Sequence, residues 1–223
     1  MVTVLLLVLI AALSYTLGCL NGSLIISRRI FGVDIRSMGS GNAGATNFFR
    51  SFGRAGLLEV LAVDIGKGAL AAFLGGILLG LTAPEQADVA YYREVGRAFA
   101  TFCCIMGHVF PAPFGFRGGK GILCGMACVF VMEYHAGIIC LLIFAVAVAA
   151  TRYVSLGSVL GALSVPVTAL AQGFSSLSML LVCFSVALVV LKHYQNIIRL
   201  IQHRESKIDF RPDVSHKLDS EDF

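Results

Sequence analysis

Seven apolar stretches, at roughly 4–26, 56–81, 97–111, 121–134, 136–151, 155–172 and 176–192, take up most of this 223-residue chain. Only 13% of the residues are charged, against roughly 25% in soluble domains. A chain of this kind has to satisfy its backbone inside lipid, which restricts it to very few architectures. The pattern predicts an all-α integral membrane protein with about seven transmembrane helices. Several stretches fall below the ~20 residues of a full span, so some helices are expected to be short, tilted or broken. Those around 97–134 flank a Gly-rich block, which suits a re-entrant loop held against protein. No Lys or Arg precedes the first apolar run, so it lacks the basic region of a cleaved leader and is expected to remain as the first span. One membrane-embedded domain over 1–207 and a polar tail over 208–223 follow.

The basic residues predict orientation. Arg28, Arg29, Arg36, Arg50 and Arg54 lie between spans one and two. Arg117 and Lys120 lie between three and four, Arg152 between five and six, and Lys192, Arg199, Arg204, Lys207, Arg211 and Lys217 after seven. Seven spans put all of these on one face, which the positive-inside rule makes cytoplasmic, with the N-terminus outside. The formal net charge of +4 suits anionic lipid or anionic substrates and does not point to nucleic acid. The seven cysteines form no CxxC pair and read as thiols of apolar surroundings.

Three polar blocks interrupt this apolar chain. The first is Gly39-Ser40-Gly41-Asn42-Ala43-Gly44-Ala45-Thr46-Asn47 with Arg50 and Arg54, and the second runs from Gly107-His108 through Arg117-Gly118-Gly119-Lys120-Gly121. The third is His193 through Asn196 and Arg199 to Glu205 and Lys207. Polar residues are costly at a membrane unless protein, water or a ligand satisfies them. Bare Gly backbone, hydroxyl and amide donors and cations together form the chemistry of phosphate binding. Taken singly, the first block also fits a flexible solvated loop, the second a basic inter-span loop that sets topology, and the third a helix end with snorkelling cations. All three fall on one predicted face, as a shared site requires. Asp64 and Lys67, three apart within the second span, fit either a functional site or a structural ion pair.

Several familiar motifs fail on context. Gly39-x-Gly41-x-x-Gly44 matches the dinucleotide fingerprint in form, but a membrane span and a basic loop precede it rather than a strand. Phe114 and Gly121 occupy the positions where a phosphate-binding P-loop needs Gly and Ser or Thr. No His-x-x-x-x-Asp pair, Gly-x-Ser-x-Gly elbow or His-Glu-x-x-His motif occurs. No metal site and no cofactor are expected.

The blocks themselves resemble the bacterial acyl-phosphate:glycerol-3-phosphate acyltransferases over nearly the whole chain. Gly39 through Arg50 is similar to the first family motif, Gly107-His108-x-x-Pro111 through Gly121 to the second, and His193-x-x-Asn196 through Lys207 to the third; Asp64-x-x-Lys67-Gly68 matches as well. The chain departs at Gly18-Cys19-Leu20-Asn21, where the family often reads Gly-Ser-Ile-Pro, and at Arg117, which replaces a usual Lys. His203 stands where the third motif usually has Gly, a residue that often marks a left-handed backbone.

The resemblance implies an enzyme of the bacterial inner membrane with its site facing the cytoplasm. Such an enzyme transfers a fatty acyl group from acyl phosphate to glycerol 3-phosphate, with membrane lipid as its surroundings. Ser40, Lys120, His193 and Asn196 are then the expected catalytic set. Gly41, Asn42, Gly44, Thr46, Asn47, Arg50, Arg54, Lys67, His108, Gly118, Gly119, Gly121, Arg199, Glu205 and Lys207 are expected to bind substrate. Lys120 and Arg50 are expected to neutralise phosphate, with the N–H groups of Gly118 and Gly119 completing the cradle. The alternative is a membrane carrier for a small organic phosphate, which polar interruptions of spans also suit.

Overall fold

The computed structural model describes residues 2–85 and 87–209. Among them every regular element is helical: Val2–Cys19 (α1), Gly22–Phe31 (α2), Ala45–Phe52 (α3), Leu57–Gly80 (α4), Val89–Val109 (α5), Ile122–Met132 (α6), Tyr134–Thr151 (α7), Val154–Ala171 (α8), Ser176–Lys192 (α9) and Tyr194–Ile201 (α10). The expected polar tail lies, from residue 210 onward, outside the described residues. Four stretches are long and apolar enough to cross a membrane: Val2–Phe31, Val89–Phe114, Tyr134–Thr151 and Val154–Ala171. The pair α9–α10, bent by 56°, makes a fifth. Of the remaining expected spans, α6 has 11 residues, and α4 has 24 and carries buried Asp64 and Lys67.

Two departures from the apolar pattern have physical causes. The first stretch, expected over 4–26, breaks at Leu20-Asn21 into α1 and α2. The Asn21 side chain caps α2 by accepting from Leu24 N–H (2.9 Å) and donates to the Ala43 carbonyl (3.0 Å). Polar backbone at such a break is tolerated because protein groups satisfy it. The third stretch begins at Val89 instead of 97 because protein groups take up its charges. Glu94 accepts from the Ser175 backbone and hydroxyl, and Arg97 donates to the Met132 carbonyl.

α5 lies at the centre, packed against α1, α4, α6 and α9. Its neighbours approach at small residues. A Cβ at Gly96 would lie 2.2 Å from the Gly75 carbonyl oxygen of α4, and one at Gly107 would lie 2.1 Å from that of Tyr15 in α1. Between apolar helices in lipid, such close backbone contact supplies the packing that holds them together. A separate aromatic cluster under α2 and α3 stacks Phe31 on Phe52 at 4.1 Å and seats Phe48 beside them. It fixes the first polar block above the bundle.

Gly96→Ala forces α4 and α5 apart and should cost about 1–3 kcal/mol, read as a lower thermal midpoint in detergent. Gly66, whose added Cβ meets nothing within 4 Å, is the control. Gly66→Ala should hold or raise the midpoint, since it removes backbone freedom from the unfolded chain.

Candidate active site

The first block is a loop wound around one amide. Asn47 Oδ1 accepts from the Ser40 N–H (2.9 Å), and its Nδ2 donates to the Met38 (3.0 Å) and Ile35 (3.3 Å) carbonyls. Asn47, which the sequence suggested as a substrate ligand, thus uses its amide to shape the block and also borders the main cavity. Gly39 and Gly41, at φ +52° and +70°, make the turns that leave Ser40 exposed between them. Arg36 then locks this loop to the second block: it chelates Asp34 and donates to the Phe114 (2.7 Å) and Arg117 (3.0 Å) carbonyls. The Arg36 guanidinium holds the Asp34 carboxyl well below the usual carboxylate range. The first-turn N–H groups of α3, which no helix bonds internally, start at Ala45 and Thr46 on the wall of the main cavity.

In the second block the two glycine N–H groups expected in an anion cradle are bonded within the protein. The Gly118 N–H donates to the Val109 carbonyl (3.2 Å) and the Gly119 N–H to that of His108 (3.1 Å). These glycines serve close approach. A Cβ at Gly118 would sit 2.0 Å from the His108 carbonyl oxygen, and one at Gly119 would sit 2.3 Å from His108 Nε2 and 2.5 Å from the Ala43 carbonyl oxygen. Their bareness lets the first and second blocks close over His108. Gly121, at φ +83°, turns the chain into α6. Between them Lys120 reaches the Asn196 amide oxygen. Burial pushes the Lys120 pKa down to about 8 despite the nearby Glu205 carboxylate, which pulls it up.

The third block begins at the α9–α10 bend. His193 Nδ1 lies 2.8 Å from the Val189 carbonyl. A carbonyl only accepts, so Nδ1 carries the hydrogen and a neutral His193 keeps a lone pair on Nε2. Asn196 turns its amide oxygen to Lys120 and donates from Nδ2 to Glu205 (2.6 Å). Glu205 also accepts from Ser155 Oγ and Arg199 Nε, each at 2.7 Å. Burial raises its pKa, and these three donors outweigh that and hold it below the usual range. Glu205 and Arg199 are therefore partners of one another first. Arg50 crosses from the first block to the Ser206 carbonyl (2.8 Å).

Lys67, expected to bind substrate, has its ammonium bonded within the protein. Its ammonium meets the Leu20 carbonyl (2.7 Å), Asp64 (2.7 Å) and His108 Nδ1 (2.8 Å). All three of its hydrogens are engaged, so none remains for a phosphate. An ammonium only donates, so His108 Nδ1 must accept and the ring hydrogen sits on Nε2. The two histidines are thus set as opposites, His108 presenting a donor and His193 an acceptor. Arg54 is exposed in the turn after α3, and Lys207 lies over the Tyr153 ring at 5.7 Å; neither borders the cavity. Among the described residues no three His, Cys, Asp or Glu side chains converge as a metal site would need.

The blocks surround one end of a cavity of about 560 Å³. Ser40, Asn42, Arg50, His108, Lys120 and His193 border its polar end, and an apolar shaft continues between α5, α6, α7, α8 and α9. The family model described as glycerol-3-phosphate acyltransferase matches residues 8–203. The chain belongs to the glycerol-3-phosphate acyltransferase family. It is 36% identical to the glycerol-3-phosphate acyltransferase of Clostridioides difficile (strain 630), over 90% of this chain and 95% of that protein. It is 35% identical to that of Jannaschia sp. (strain CCS1), over 92% of this chain and 94% of the relative. PlsY (YgiH), an integral membrane glycerol 3-phosphate acyltransferase solved in its glycerol 3-phosphate form, superposes with a TM-score of 0.80 at 27% identity, covering 91% of this chain and 96% of its own. Its lysophosphatidic acid form gives 0.78 at 26% identity, over 92% and 96%. The fold is that of an all-α integral membrane acyltransferase of lipid synthesis, and the carrier alternative gives way to it.

Sequence reasoning missed Ser155, Asn21 and Arg36, each of which holds a block in place. Only a polar side chain at a helix start or break marked them. It did single out His203, which takes φ +55°. There the chain leaves α10, the Arg204 N–H returns to the Arg199 carbonyl (2.7 Å), and Glu205 folds back over Asn196. A left-handed backbone costs a non-Gly residue about 1–2 kcal/mol. His203→Gly should therefore raise the thermal midpoint in detergent with activity retained, whereas His203→Val should lower both. Equal midpoints for all three proteins would show that this turn carries no strain.

Proposed function

We propose that the chain moves a fatty acyl group from acyl phosphate to the 1-hydroxyl of glycerol 3-phosphate. The hydroxyl oxygen bonds to the acyl carbon, the acyl–phosphate C–O bond breaks, and the products are 1-acylglycerol 3-phosphate and inorganic phosphate. The observation that carries this reading is one cavity with a cation-bearing polar end and an apolar shaft. Each substrate has a phosphate, and one has a long apolar tail. Lys120 and Arg50 neutralise phosphate, aided by Ser40, Asn42, Thr46 and the α3 first-turn N–H groups. His193 Nε2 orients the acceptor hydroxyl, with Asn196 holding Lys120 in line. The departing phosphate takes the hydroxyl proton; its second pKa near ~6 suits that task at neutral pH. Catalysis rests on positioning and on cations fixed in advance. The three blocks face the cytoplasm from the bacterial inner membrane, with the N-terminus outside. The basic residues gathered at the block-bearing ends of the spans support that orientation.

Lys120→Ala should lower kcat/KM by roughly 100–1,000-fold, the scale of losing one charge-stabilising donor. The wild-type pH profile carries a further sign. Lys120 is charged below its pKa of about 8 and loses its charge above it. The KM for glycerol 3-phosphate should therefore climb from pH 8 upward, and Lys120→Arg should flatten that climb.

Donor choice is tested with purified protein in detergent, glycerol 3-phosphate and matched palmitoyl donors. Palmitoyl phosphate should exceed palmitoyl-coenzyme A in kcat/KM by about 100-fold or more, because a thioester leaves the donor-phosphate cations uncompensated at the transition state. Comparable specificity constants would refute the donor while leaving acyl transfer standing.

A further inference from the structure

The shaft has a measurable depth. On α6 its wall runs from Gly121 to Met132, on α8 from Ser155 to Val165, and on α9 from His193 back to Val182. At ~1.5 Å of rise per residue, each of the three spans about 15–17 Å from the polar end to the floor. That matches the ~15 Å of one leaflet, half of a hydrocarbon core of ~30 Å.

Met132 lies at the deep end of the shaft, beside Val129, Val165 and Val182, and also walls a second cavity of about 340 Å³, bordered by Arg93, Glu94, Arg97 and Phe174. It packs in one apolar cluster with Ala98, Val165 and Val182. Thr101 Oγ1 lies 3.2 Å from its sulfur, and Arg97 donates to its carbonyl. Met132 is thus the side chain that borders both the apolar shaft and the arginine-bearing cavity. A chain longer than the shaft must displace Met132 and press its end against Arg97 and Glu94, so both space and polarity oppose it.

We propose that Met132 is the specificity-determining floor of the acyl site and sets the longest acyl group transferred well. The proposal rests on the acyl-transfer reading above. Within the limit, each added methylene gains packing contacts with the shaft wall and should hold or raise kcat/KM. Beyond it the gain should stop and reverse.

The test is a kcat/KM series for straight-chain acyl phosphates of increasing length, on wild type, Met132→Ala, Met132→Phe and Met132→Leu in detergent. Wild type should show a break in the series. Met132→Ala should move the break to longer chains by about two or three methylenes, the side-chain volume removed, and Met132→Phe should move it to shorter ones. Met132→Leu, which conserves volume, should leave it in place. A general loss of stability lowers every rate without moving the break, and Phe and Leu keep the test open if Ala fails to fold. A break at one length in all folded proteins, or no break at all, overturns the ruler while acyl transfer stands. A wild-type protein that transfers no acyl group from any donor overturns the acyl-transfer reading as well.

Discussion

The ammonium of Lys67 sits with 2% of its side chain exposed among three acceptors drawn from three parts of the fold. One is the Leu20 carbonyl at the break in the first apolar stretch, one is Asp64 on its own helix, and one is His108 on the central helix. Asp64 in turn accepts from the Gly22 N–H, at the start of α2 (3.2 Å). A buried ion pair gains little over apolar packing, but losing one partner costs about 3–5 kcal/mol because a charge is left unpaired. The pair therefore acts less as a source of stability than as a constraint. α1, α2, α4 and α5 can meet in only one register that satisfies it. The same contact fixes the His108 ring, and with it the donor that the second block presents.

A second hub repeats this logic at the other side of the site. Glu205 gathers Ser155, Asn196 and Arg199, and Asn196 passes the order on to Lys120. Between the two hubs, Arg36 and Arg50 tie loop to loop through backbone carbonyls. Most polar atoms of the blocks are thus committed to one another before any substrate arrives. Charge stabilisation of this preorganised kind needs no rearrangement at the moment of reaction. It also explains how such polar segments persist at a membrane: protein already satisfies them.

The helical membrane architecture and the three blocks were legible because both depend on composition along the chain. Roles within the blocks were less so. A glycine that bares its N–H to a ligand and one that permits close backbone approach look the same in sequence. Gly118 and Gly119 were expected in the first role and serve the second. Asn47 and Lys67 show a related ambiguity, since a polar side chain in a functional block can also be used on the protein's own shape. Ser155 lay outside all the blocks, because the fold-back that brings Glu205 to it depends on a turn after α10. His203 was a partial exception, where a missing glycine pointed to the left-handed turn itself. The break at Asn21 and the early start of α5 were hidden because tertiary partners, not local hydropathy, satisfy their polar groups.

On the acyl-transfer reading, the two ends of the cavity divide the energetic work. The shaft offers apolar contact that is the same before and during reaction, so by itself it can hold a substrate but not accelerate its chemistry. The polar end offers fixed cations, a donor histidine and an acceptor histidine, whose value rises as charge moves between atoms. Joining them in one cavity lets binding energy gathered along a chain be used to hold a carbonyl still beside those groups. That coupling requires the helices lining the shaft to be the same helices that carry the polar residues. α5, α6 and α9 meet this requirement: each runs from the floor to a polar residue at or beside its end, His108 on α5, Lys120 ahead of α6 and His193 after α9.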